Sequence, residues 1–304
     1  MTEPVIAVAE EKNVETAWKT AASFLVTVYQ YDLSGSEELN ACHVVEEIGS
    51  KIAMSSFSDA ALFFEKILGT MQKKKIEDNY LEYSFAEERQ KYLSFEDGTC
   101  FAPGSEFGGT KEAVEQFQHR ALSSVPGSAE EAKWMDCLHK AIVMMAQKHP
   151  AKAIDSACHF ARSVASRETT KPEAMLWPAE VGRIYVKKAQ VKGRDYDHET
   201  LDDVETSVLN SIRYVFKPNS LEQRQILQVW GEIVLHQYVY GYYPDRVMQK
   251  LNNIKNNRGN PPELIETATT LQNIIDPKIN KPPRPSLFGF LRKRDCADTP
   301  SGGV

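Results

Sequence analysis

Alternation of apolar and polar residues over four to eight positions is missing from this chain, which excludes a half-buried β-sheet as its framework. Long apolar runs are missing too. The greasiest stretch, residues 21–29, is far shorter than the roughly 20 residues a membrane-spanning helix needs. Cysteine is sparse: five residues, Cys42, Cys100, Cys137, Cys158 and Cys296, are widely spaced with no C-x-x-C pair. That argues against a disulfide framework and for reduced thiols in a cytoplasmic protein. Neither charge sign dominates. Lys and Arg number 36 against 42 Asp and Glu, a formal net charge of −6, so the chain as a whole has no pull toward nucleic acid or anionic lipid. An acidic partner has to be met by a local basic patch. No phosphate loop, no dinucleotide G-x-G-x-x-G after a strand and no G-x-S-x-G is present, and no cofactor is expected. Residues 1–11 carry acids and no basic run ahead of an apolar segment, so they do not read as a secretory signal.

What is present is helical periodicity. Trp18, Ala21, Ala22, Leu25, Val26 and Tyr29 recur at steps of three and four, as one apolar face of a helix does. A second helix is expected over 37–54. A third, with Ser58 as its cap, runs to about 75 through Ala61, Leu62, Phe64, Ile67 and Leu68. The link of 55–57 is so short that these two must lie antiparallel. Ser128-Ala129-Glu130-Glu131 and Ser220-Leu221-Glu222-Gln223 are capping boxes, each opening a helix. Pro150 suits a first helical turn, where its missing N–H costs nothing. Gly241 ends the helix begun at Ser220, and Pro244 starts its partner. Further helices are expected at 80–93, 110–123, 178–191, 198–216 and 262–275. The expected fold is all-α, an array of antiparallel helix hairpins, with 96–109 as a long loop and a proline-rich segment from 277.

Cysteine and histidine fall together at Cys42-His43, Cys137 with His139, and Cys158-His159. Adjacent helical residues point about a hundred degrees apart, so neither adjacent pair chelates a metal alone. Mid-helix cysteine is more often a small core residue than a nucleophile. Glu115/His119, Asp155/His159 and Glu232/His236 stack acid and imidazole on one helix face, the ordinary stabilising pair of a solvated helix. No catalytic or metal residue is assigned. The glycines ahead of Thr110 read as a plain helix start. Two basic groups remain. Lys187, Lys188, Lys192 and Arg194 gather at a helix end, where cations also suit the helix dipole. Arg292, Lys293 and Arg294 follow Leu287, Phe288, Phe290 and Leu291, a piece fit for a partner groove or a membrane surface.

Residues 57–68 (FSDAALFFEKIL) resemble the second helix of a tetratricopeptide-type repeat, in which a small residue sits where neighbouring helices approach closely. Ile48-Gly49 fits the first half. Read in order, 17–24 (AWKTAASF), 57–68, 92–99 (YLSFEDGT), 149–154 (HPAKAI), 190–197 (QVKGRDYD), 234–236 (VLH) and 286–291 (SLFGFL) make the chain resemble the soluble NSF attachment proteins, the SNAP family. It resembles the gamma type more than the alpha type. The resemblance spans most of the chain. It implies a hairpin array over 1–216, a helical bundle over 217–276 and a tail over 277–304. It also implies a non-enzymatic adaptor that embraces the acidic SNARE bundle and recruits the ATPase NSF, which itself hydrolyses the ATP. On this reading Arg162, Arg167, Lys187, Lys188, Lys192 and Arg194 face the SNARE bundle, and the tail with Arg292, Lys293 and Arg294 touches a partner or membrane. Two features depart from the alpha type: Glu96 and Asp97 stand at a turn where it carries lysines, and the end Ser301-Gly302-Gly303-Val304 lacks its acid-rich terminus. Competing readings are a helical scaffold with an unrelated partner, a cysteine hydrolase built on Cys137 or Cys158, and a helical-bundle metalloprotein.

Overall fold

A computed structural model describes residues 14–30, 35–165, 167, 169, 171–241 and 244–275, and of residues 30, 35–39, 194 and 198 the backbone alone. Among the described residues the fold is all-helical, with twelve α-helices and no strand. They are α1 (Val14–Gln30), α2 (Gly35–Ser55), α3 (Phe57–Lys74), α4 (Asn79–Asp97), α5 (Lys111–Ser123), α6 (Ala129–Lys148), α7 (Pro150–Val164), α8 (Trp177–Lys192), α9 (His198–Tyr214), α10 (Leu221–Tyr240), α11 (Pro244–Asn256) and α12 (Pro262–Ile275). None is long and apolar enough to cross a membrane. The chain divides into two compact units, with the division at Ala141/Ile142 inside α6; residue 216 falls within the second unit. The proline-rich tail, Arg292, Lys293, Arg294 and Cys296 lie outside the described residues.

In the first unit α1, α2 and α3 pack on one another, and α3 pairs along its length with α4. Phe57 organises the core. It is fully buried, meets Phe95, Phe117 and Trp134 edge-on at 5.4, 5.8 and 5.5 Å between ring centroids, and lies flat against Tyr92 at 6.3 Å. Such pairs contribute about 0.5–1.5 kcal/mol each beyond the area they bury. This core moves the start of α3 two residues ahead of the expected cap at Ser58. Ser56 is the cap, accepting a hydrogen bond from the Asp59 N–H at 3.1 Å, because the chain must already be helical at Phe57 to aim that ring inward. The stretch 96–109 is no loose loop. α4 ends at Gly98 in a left-handed turn (φ 77°), Thr99–Phe101 form a 3-10 turn, and buried Cys100 brings its carbonyl against Gly108. Thr110 then caps α5.

In the second unit each helix packs against its successor, and most also against their second neighbour: α7 on α8 and α9, α8 also on α10, and α10 on α11 and α12. That is the stacking of successive helix hairpins. Both capping boxes form, with one difference from the standard pattern. Ser128 and Ser220 accept from the N–H of Glu131 and Gln223, as expected. The returning side chains bond one residue further back, to the N–H of Gly127 at 2.9 Å and of Asn219 at 2.8 Å. Pro150 stands in the first turn of α7. Gly182 lets α8 approach α10, since a β-carbon there would come within 2.7 Å of Val229.

Candidate protein-interaction cleft

The helical period of α8 decides what it shows. Val181, Gly182, Tyr185, Val186 and Ala189 are buried, which turns Lys187, Lys188, Val191 and Lys192 together to the opposite face. Trp177, stacked on Phe160 at 5.3 Å, anchors the start of the helix. At the other end Gly193, at positive φ (57°), lets the chain turn sharply into Gly193–Asp195 and on to α9.

Between this face, the last turn of α6 and the first turn of α9 lies a cleft of about 560 Å³. Lys187, Lys188 and Lys192 line it, joined by Lys148 at the end of α6. All four lysines are exposed, and Val191, 88% exposed, stands among them as an apolar tooth. Tyr185 and Tyr196 line the cleft as well and are themselves buried, their rings edge to face at 5.2 Å. Burial pushes both phenols up, so both stay neutral at physiological pH. Among the described residues the one acid lining the cleft is Asp197, and its carboxylate is engaged in capping α9 through the Glu199 N–H and the Thr200 hydroxyl. The result is an open, cationic cleft with an apolar contact among its lysines, suited to an acidic protein surface that also presents an apolar side chain.

The remaining candidates are placed differently. Arg162 is exposed on α7 and Arg167 is half-buried just after it; neither lines the cleft. The backbone of Arg194 lies in the 3-10 turn at the cleft's edge. Lys148 was missed because the sequence marks it only as one cation in a last helical turn, and its partners stand about forty residues away.

The cysteine–histidine pairs do not assemble into sites. No group of three metal-ligating side chains occurs among the described residues. Cys42 donates to Glu46 at 3.2 Å, while His43 faces the same carboxylate at 3.4 Å. Cys158 lies 2.7 Å from the Ser211 hydroxyl. Burial pushes the thiols of Cys42, Cys100 and Cys158 up to about 12, and that of Cys137 upward, the reverse of what a nucleophile needs. Glu115 pairs with Lys111 instead of His119, which sits beside Ser123. At the turn after α4, Glu96 faces Lys133 at 3.6 Å, and Asp97 accepts from the Thr99 N–H and hydroxyl, which holds its carboxyl below the usual range.

By its fold this is an all-α protein of stacked helix hairpins. No protein-family model, curated protein or solved structure matches the chain.

Proposed function

We propose that this chain is a cytoplasmic adaptor that grips an acidic helical bundle, the assembled SNARE complex, and presents it to an NSF-type ATPase. The observation that carries this reading is the gathering of Lys148, Lys187, Lys188 and Lys192 around one cleft in a chain of net charge −6. Local positive potential on an otherwise acidic protein favours an acidic partner and steers its approach. The ordered resemblance to the SNAP family supplies the identity of that partner, and the stacked hairpins supply a surface of the kind such repeats use for binding proteins. The tail with Arg292, Lys293 and Arg294 contributes peripheral attraction to anionic membrane on the same reading.

The test is sedimentation of the purified protein with an assembled SNARE complex and NSF held in its ATP-bound state. The expected result is one particle containing all three, formed at low ionic strength and weakened as salt rises. If no particle forms even at low salt, the adaptor reading fails, and the cleft belongs to a different acidic partner.

A further inference from the structure

The second unit carries another concave surface, separate from the lysine cleft. α7 and α9 pack together, and so do α10 and α12, but α9 and α11 stand apart with a groove of about 660 Å³ between them. The two helices run the same way: Lys250 of α11 meets Glu205 of α9 at 2.5 Å near one end, and Asn260 accepts from Arg213 Nε at 3.0 Å near the other. Gln237 of α10 bonds to Asp202 and Glu205, fixing the register.

The wall on the α11 side is a row of carboxamides. Gln249 and Asn253 are exposed on α11, and Asn257 follows just beyond its end. Gln249 and Asn253 make no side-chain hydrogen bond among the described residues, and the Asn257 oxygen accepts from the Gly259 N–H at 3.0 Å. A carboxamide donates and accepts at once, as a peptide group does. Four residues along a helix advance about 6 Å, close to the roughly 6.6 Å spanned by two residues of an extended chain. Successive carboxamides therefore fall in step with every second peptide group of a strand laid along the groove.

Charge and shape set the other requirements. The acids of the groove, Asp202 and Glu205, lie at the Lys250 end, whereas the Arg213 end has no acidic lining residue among the described residues. There the surface continues into a second hollow of about 490 Å³ floored by Tyr214, 70% exposed, with Pro218, Pro261 and Pro262. We propose that this groove holds an extended segment of a partner polypeptide. Gln249 and Asn253 read its main chain, a carboxylate side chain pairs with Arg213, and a neighbouring apolar side chain rests on Tyr214 and the prolines.

The test uses the full-length protein, immobilised and offered octapeptides that are random except for one central aspartate. Retained peptides are expected to place an apolar residue at a fixed step from the aspartate. By fluorescence anisotropy, the Gln249→Ala/Asn253→Ala variant should bind the consensus octapeptide about tenfold more weakly. Both side chains are exposed, so the fold is spared. N-methylating alternate amides of that peptide should abolish binding in one phase and leave it intact in the other, since only every second amide meets the helix. Arg213→Gln should remove the preference for aspartate over asparagine. Retention of no peptide above an albumin control, equal affinity for the variant, or indifference to methylation in both phases would each overturn the proposal. A synthetic peptide of residues 276–304 binding more tightly than the consensus would give the groove to the chain's own tail and overturn it equally.

Discussion

A β-carbon on Gly49 would lie 2.3 Å from Cε2 and Cζ of Phe64, so α2 crosses α3 with a helix backbone laid directly on an aromatic ring. The ring has nowhere to go: Phe64 is fully buried between Phe63, Phe85 and Tyr92, with centroids 5.2–6.0 Å away. Gly49→Ala gains up to about 1 kcal/mol of helix propensity, but overpacking of this kind costs about 1–3 kcal/mol. The variant is therefore expected to be destabilised. Gly69→Ala is the control. It sits exposed on α3 with nothing within 4 Å of the new methyl, and should be neutral or stabilised. Urea denaturation of both variants beside the parent decides the matter.

Glu205 is 2% exposed and holds together three helices. It accepts from Trp230 Nε1 at 3.2 Å, from Gln237 at 2.8 Å and from Lys250 at 2.5 Å. Removing Lys250 leaves that carboxylate buried without its cation, which costs about 3–5 kcal/mol. Removing the carboxylate instead strands the Trp230 and Gln237 donors, while Lys250, about a third exposed, can turn to water. Lys250→Ala is thus expected to lower the unfolding midpoint, and the double variant Lys250→Ala/Glu205→Gln, which removes the buried charge and keeps an acceptor for Trp230, to recover part of the loss. No recovery in the double variant would mean that the stranded charge is not what the loss comes from.

The thiols respond to pH in a definite direction. A thiol pushed from its ordinary 9 to about 12 carries about a thousandfold less thiolate at neutral pH. Iodoacetamide labelling followed by peptide mass mapping should find Cys42, Cys100 and Cys158 far slower than glutathione at pH 7.5, with half-buried Cys137 the fastest of the described four. Any of them reacting faster than glutathione would revive the cysteine-nucleophile reading.

Much of the helical framework was legible because its signals are local. Ser128 with Glu131, Ser220 with Gln223, Pro150 and the span 262–275 each mark their helix within a few residues, and each stands where expected. Ser58 misled because it meets the local rules for a cap as well as Ser56 does; the burial of Phe57 against residues 35–77 positions later decides between them. The lysines of α8 were legible as a charge cluster, since helical spacing alone puts 187, 188 and 192 on one face. Lys148 was not, because only tertiary packing brings the end of α6 to that face. The Glu205–Lys250 pair and the α9–α11 groove likewise depend on residues about 45 apart, a distance over which periodicity carries no information.

The lysine cleft makes a quantitative demand on any acidic partner. Exposed charges at an interface rim contribute about 0.5–1 kcal/mol each. Reversing Lys187, Lys188 and Lys192 to glutamate replaces three attractions by three repulsions, so a loss of at least about 10–100-fold in affinity is expected. Because these charges steer the encounter, a large share of the loss should fall on the association rate and shrink as salt approaches half-molar. Reversing Lys73, Lys74 and Lys111 together to glutamate is the matched control. It changes the net charge by the same amount, and all three lysines are exposed and lie in the first unit. Surface plasmon resonance against an immobilised SNARE complex, run at several ionic strengths, separates the two. Equal weakening by the control reversal would show that net charge alone attracts the partner, and that the cleft is not where it binds.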